Sequence, residues 1–113
     1  MRIIEKPWGH EEIWAETRRY VGKYLHIKSG KRLSRQYHQK KEETIRVLEG
    51  ELLLELGTSN NIIQKILKKG ETYHVMPGTI HRFCATKEDV ILVEVSTPEL
   101  DDVVRLVDDY ERC

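Results

Sequence analysis

The sequence predicts an all-β fold, a single sandwich or barrel of short strands, and two observations carry that expectation. The first is punctuation: Ser29-Gly30, Glu49-Gly50-Glu51, the tract from Gly57 to Asn61, Lys69-Gly70-Glu71, Pro77-Gly78 and Lys87-Glu88-Asp89 are all turn signals. The second is what lies between them, short runs rich in Ile, Val, Leu, Tyr and Thr. Strands separated by turns at intervals of about 8–12 residues are the pattern of an all-β sandwich or barrel.

Taken in order, the runs have readable faces. Along residues 43–49 the odd positions put Glu43, Ile45 and Val47 on one side, because successive side chains of a strand alternate. Leu52-Leu53-Leu54-Glu55-Leu56 is apolar on both faces at its start and suits a buried strand, and residues 62–67 form a third run beyond an Asn-rich turn. Val90 to Ser96 is continuous apart from Glu94 and also reads as covered on both sides. The last stretch is open between two forms. Leu100, Val103, Val104 and Val107 fall at helical spacing after a start at Thr97-Pro98-Glu99, which gives one short C-terminal helix. Val103-Val104-Arg105-Leu106-Val107 reads equally as an edge strand.

A chain of 113 residues is sized for one domain, here residues 1–113, with one modest core. Its 39% hydrophobic and 34% charged residues exclude a disordered composition. Nineteen basic residues balance nineteen acidic ones, so bulk charge proposes neither a nucleic-acid nor a membrane partner. Glu5, Lys6 and His10 interrupt the N-terminal residues, which is not the pattern of a signal peptide or a membrane span. Two widely separated cysteines, Cys84 and Cys113, make no disulfide framework and read as free thiols. The expected location is cytoplasmic.

The chemistry concentrates in two stretches, residues 30–50 and 70–85. Gln36 and His38 are two apart on an extended strand, so both leave the same face. Glu43 shares its face with Ile45 and Val47, and a carboxylate on an apolar face is costly unless it is paired or coordinates a metal. His81 shares its face with Phe83 and also points inward. Imidazole and carboxylate donors together suit one divalent ion per chain, drawn from Zn, Mn, Ni, Fe or Co. The amide of Gln36 mildly favours a six-coordinate ion with water over a closed tetrahedral one.

These residues carry a resemblance. Gly30, Gln36-Tyr37-His38, Glu43 and Gly50 are similar to the first motif of the cupins, with Gln where the first His usually stands. Gly70 followed by Met76-Pro77-Gly78-Thr79-Ile80-His81 resembles the second. Lys6-Pro7-Trp8-Gly9, Gly30 through His38, Met76 through Phe83, Glu94-Val95 and Asp101 through Arg105 look like the type II mannose-6-phosphate isomerase domain over residues 5–110. The chain departs from that pattern at Gln39-Lys40-Lys41, at Met76 and at Ala85.

The resemblance implies a single cupin domain, a double-stranded β-helix or jelly-roll barrel. It also implies Gln36, His38, Glu43 and His81 as metal ligands, and interconversion of mannose 6-phosphate and fructose 6-phosphate through an enediolate. The metal would act as a Lewis acid on the open-chain sugar. Arg32, with Lys40 or Lys41, would grip the substrate phosphate, because a guanidinium pairs bidentately with phosphate oxygens. Glu94 and His74 are the candidate general bases. Arg82 has the opposite strand parity to His81 and is less suited to the pocket. Trp8 and Trp14 read as core or interface packing, and His10 and His26 as ordinary strand or surface histidines. Small cupins commonly pair, so a homodimer is expected, with a small-molecule sugar phosphate as the ligand. The second reading is a non-catalytic or differently specific metal-binding cupin that takes a sugar or another small molecule.

Overall fold

A computed structural model describes residues 2–58 and 60–112. Among the described residues it contains eleven strands: β1 (Arg2–Lys6), β2 (Gly9–Glu16), β3 (Val21–Ile27), β4 (Arg35–Tyr37), β5 (Glu43–Glu49), β6 (Leu52–Leu56), β7 (Ile63–Leu67), β8 (Thr72–Val75), β9 (His81–Cys84), β10 (Val90–Ser96) and β11 (Val104–Val107). They form two antiparallel sheets, one in the order β1-β2-β3-β10-β5-β8 and the other β11-β4-β9-β6-β7. From β3 onward the chain crosses repeatedly between the sheets, and the two close face to face as a jelly roll. No helix among the described residues is long and apolar enough to cross a membrane.

The core forms where the alternation said it would. Ile45 and Val47 of β5 face Leu25 and Ile27 of β3, Leu54 of β6 and Leu92 of β10, all at most 2% exposed. Each such side chain contributes about 1.5–3 kcal/mol on burial. Cys84 is a free thiol buried on the outer side of the second sheet, and burial pushes its pKa up to about 11, which leaves it unreactive at neutral pH. Cys113 lies outside the described residues.

Of the two forms open to the last stretch, the strand is the one that folds, and no C-terminal helix is present among the described residues. The edge of β4 supplies the reason: Val104 pairs with Tyr37 and Arg105 with Gln36, satisfying backbone groups that a helix would leave exposed on that edge. Asp102 holds the approach, its carboxylate accepting the backbone N–H groups of Gln39, Lys40 and Lys41 at 3.1, 2.7 and 2.9 Å.

Two glycines place the rest. At Gly78, φ is +83°, a conformation that disfavours a side chain, and its N–H donates to the His38 carbonyl at 2.7 Å, which draws the two motif stretches together. At Gly9 a Cβ would sit 1.8 Å from the His26 carbonyl oxygen, so β2 lies against β3 only because position 9 has no side chain. Gly9→Ala is expected to cost at least about 2 kcal/mol, as overpacking against a fixed backbone does. Thermal melting beside the wild type checks it, and an unchanged midpoint would show that the hairpin can shift.

Candidate metal centre

His38 follows β4, Glu43 opens β5 and His81 opens β9, so each side chain sits at a strand end where the backbone around it is fixed. All three are buried, at 3%, 3% and 1% exposure. The His38 Nδ1 is 2.6 Å from the Asp102 carbonyl and the His81 Nδ1 is 2.8 Å from the Thr79 carbonyl. A carbonyl can only accept, so each ring carries its proton on Nδ1 and, when neutral, presents a bare lone pair at Nε2. Both lone pairs face Glu43 Oε1, at 3.6 Å from His38 and 3.5 Å from His81. These separations are too long for hydrogen bonds, and all three atoms are buried without a hydrogen-bond partner.

Three buried acceptors turned on one another are costly, and a cation among them removes the cost. Tetrahedral bonds of about 2.0–2.1 Å put ligand atoms about 3.3–3.4 Å apart. The two distances to Glu43 therefore fit a divalent ion with only a small contraction, and all three donor atoms lie within 4.8 Å of one another. Carbonyl acceptors behind both imidazoles are the usual way ligating rings are oriented. Gln36 is the cross-strand partner of His81 and lines the same cavity as His38, with its Oε1 accepting the Ser34 hydroxyl at 2.6 Å.

Behind the trio runs a chain of buried charges on the inner faces of β2, β3, β5 and β10. Lys41 Nζ lies 3.1 Å from Glu43 Oε2 and 3.0 Å from Glu94 Oε2. Lys23 Nζ lies 3.8 Å from the same Glu94 oxygen and 3.2 Å from Glu11. Burial pushes the Lys41 ammonium down, but Glu94 and Glu43 outweigh it and hold its pKa above the ordinary lysine value. Burial also works against the Glu43 carboxylate, yet it is held well below the usual range, with the Lys41 ammonium 3.1 Å away as the charge that favours it. Glu94 goes the other way: burial and the neighbouring Glu43 raise it more than Lys23 and Lys41 lower it.

Of the trio, His38 lines a cavity of about 470 Å³ between β1, β2, β4 and the segment leading into β11, with Gln36 and Lys41 on the same wall. Lys6, Lys41 and Arg105 are among six basic side chains on its wall, against the acids Glu11, Glu16 and Asp101. Several of these cations are already paired, Arg2 with Glu16, Lys23 with Glu11, Lys41 with Glu43 and Glu94, and Arg112 with Asp108.

The structure thus brings together His38, Glu43 and His81, sets Gln36 beside them and places Glu94 behind them. It does not bring Arg32 or His74 to this cavity. Arg32 forms a two-pronged ion pair with Asp109, at 2.7 and 3.0 Å. His74 is opposite Thr44 on the outer face of its sheet, half-exposed and 2.6 Å from Glu42. Three residues of the site were not assigned roles in it from sequence. Lys23 was detectable, as the one charge on the Val21, Leu25, Ile27 face. Lys41, expected with Arg32 as a phosphate grip, has the parity of Glu43 and is paired with Glu43 and Glu94. Asp102 and Arg105 act through contacts distant in sequence, which no local pattern reports.

A two-sheet jelly roll with two imidazoles and a carboxylate converging inside one end defines a class, the double-stranded β-helix barrels built around a metal-type donor set. Residues 23–96 match the Cupin domain family, and the chain belongs to that family. Cupins commonly hold a metal ion, and the His38, Glu43 and His81 group is arranged to do so. Among solved structures, the chain is similar to the capsular polysaccharide assembling protein CapF from Staphylococcus aureus, with a TM-score of 0.80, 18% identity, and coverage of 94% of this chain and 34% of that one. It is also similar to KdgF from Halomonas sp., with a TM-score of 0.77, 18% identity, and 90% and 92% coverage. An RmlC-like cupin from Shewanella frigidimarina gives 0.75, 17%, and 89% and 86%. The chain spans about a third of the CapF length, and at these identities the likeness is one of fold. No curated protein matches the chain.

Proposed function

We propose that the chain is a metal-dependent sugar-phosphate isomerase that interconverts mannose 6-phosphate and fructose 6-phosphate through an enediolate. The observation that carries this reading is the donor trio, with His38 lining a cavity on whose wall basic side chains outnumber acidic ones. The motif resemblance over residues 5–110 supports the substrate. His38, Glu43 and His81, with Gln36 beside them, would hold the metal, which supplies Lewis-acid polarisation of a carbonyl. Arg105 and Lys6 on the cavity wall would bind the phosphate end and position the sugar. The Lys41 ammonium, held by Glu43 and Glu94, would face the developing oxyanion. Of the two acid–base groups expected, Glu94 is the one on the inner face, and we assign it the proton transfer.

The test is an assay of mannose 6-phosphate isomerisation on metal-quantified protein, before and after chelation. Turnover lost to the chelator and restored by a divalent ion supports the reading; metal without turnover removes it. In the same assay Arg32→Ala and His74→Ala should retain activity, since neither side chain reaches the cavity. Loss of activity with metal kept in Arg32→Ala would return the phosphate grip to Arg32.

A second reading, a cupin of different specificity or a binding module, is favoured by Lys41, which lies at a departure from the isomerase pattern yet is drawn to the trio. A panel of sugar phosphates and sugar acids separates the two. The reading includes a homodimer formed through the outer face of the six-stranded sheet, where Trp14 is 45% and Val95 52% exposed. Sedimentation of the purified protein decides it, and a monomer at all concentrations would rule it out.

A further inference from the structure

The outer face of the six-stranded sheet carries a second group of donors, away from the barrel interior. His10 on β2 and His26 on β3 are direct cross-strand partners, and their rings stack with centroids 4.2 Å apart and planes 13° from parallel. Glu12 lies two residues beyond His10 on the same face. Its Oε1 is 3.4 Å from His10 Nε2 and 3.5 Å from His26 Nε2. Strand alternation sends Glu11, Leu25 and Ile27 inward and these three outward.

The spacing is the significant feature. Two imidazole nitrogens face one carboxylate oxygen at distances beyond an ordinary hydrogen bond. They match the separation of about 3.3–3.4 Å that tetrahedral bonds of about 2.0–2.1 Å impose. The backbone fixes the arrangement: Gly9, which packs against the His26 carbonyl, sets β2 tight on β3 at the residue before His10. The side chains are about a quarter to a third exposed, and His10 and His26 border a concavity of about 160 Å³ that Lys28 and Asp89 also line. An ion here can be reached from solvent without opening the barrel.

We propose that His10, Glu12 and His26 form a second divalent-cation site. Two nitrogens and one carboxylate oxygen suit zinc best, and the fourth position, open to solvent, takes water or a small anionic group. The site does not rest on the isomerase reading, nor on the barrel trio being filled.

Metal-free protein dialysed to equilibrium against zinc, with zinc counted per chain by mass spectrometry, tests it. Wild type is compared with Glu12→Gln and with His26→Ala. Each variant should hold about one zinc fewer than wild type, because a His2Glu set that loses a ligand loses its affinity. The difference reads the surface site alone, so an empty barrel does not mask it. Equal counts in all three proteins overturn the proposal. A measurement on the wild type needs no variant to fold: zinc should shift the ring-nitrogen resonances of His10 and His26, and unmoved resonances would equally overturn it.

Discussion

Glu43→Gln should lose the barrel metal and the activity while keeping the fold. Glu43 Oε1 is the point on which both imidazole lone pairs converge, and an amide there removes the charge that opposes a cation's own. Loss of groups merely behind metal ligands costs about 10–100-fold in affinity, and loss of a ligating carboxylate should exceed the upper end of that range. The fold should survive for a reason visible in the buried charges. Glu11, Glu43 and Glu94 face only Lys23 and Lys41 in the metal-free protein, so removing one carboxylate balances the set. Urea melts of metal-free protein should show the variant still unfolding cooperatively, and metal titration should show the barrel site gone. A variant that binds metal normally would exclude Glu43 as a ligand.

Lys41→Met should cost stability as well as turnover. Lys41 is 4% exposed and is the cation between Glu43 and Glu94. Removing one partner of a buried charge group costs about 3–5 kcal/mol, because the remaining charges are left uncompensated. The cost should depend on pH. Glu94 has its pKa raised by burial and by Glu43 even with Lys41 present, and without Lys41 the rise is larger. A carboxyl with a raised folded-state pKa destabilises the fold above that pKa, and the penalty disappears as pH falls through it. The metal-free variant should therefore be weakest at neutral pH and above, and recover toward the wild type as pH falls toward the ordinary glutamate value of 4.5. Denaturant melts across that range check the sign, and a deficit that does not narrow on acidification would mean Glu43 and Glu94 are not strained by the loss.

The parts of this account that sequence made legible are those governed by local alternation. Ile45 and Val47 marked the inner face of β5, and Glu43 on that face was conspicuous because an apolar face has no water to solvate a carboxylate. His81 followed from Phe83 in the same way. The N-terminal hairpins were harder. Their inward positions mix Arg2, Lys6, Glu11 and Lys23 with Ile4 and Ile13, since they line an open cavity rather than a dry core. An alternation of charged with charged residues carries no face signal.

The C-terminal stretch was ambiguous because its apolar residues fit both periods. The free edge of β4, a property of the assembled sheet, decided it. Lys41 shows the limit most clearly. Beside exposed Lys40 it was expected to face a substrate phosphate, yet it is held inside by Glu94, a residue far along the chain on β10. His10 and His26 looked ordinary for the same reason, because cross-strand register, and not sequence separation, sets them against Glu12.

Diffraction from crystals soaked in zinc, recorded at the zinc absorption edge, tests the central claim most directly. The account predicts an anomalous peak inside the barrel about 2.0–2.2 Å from His38 Nε2, Glu43 Oε1 and His81 Nε2. A barrel without a peak, with the three side chains bridged by water or a proton instead, would contradict it.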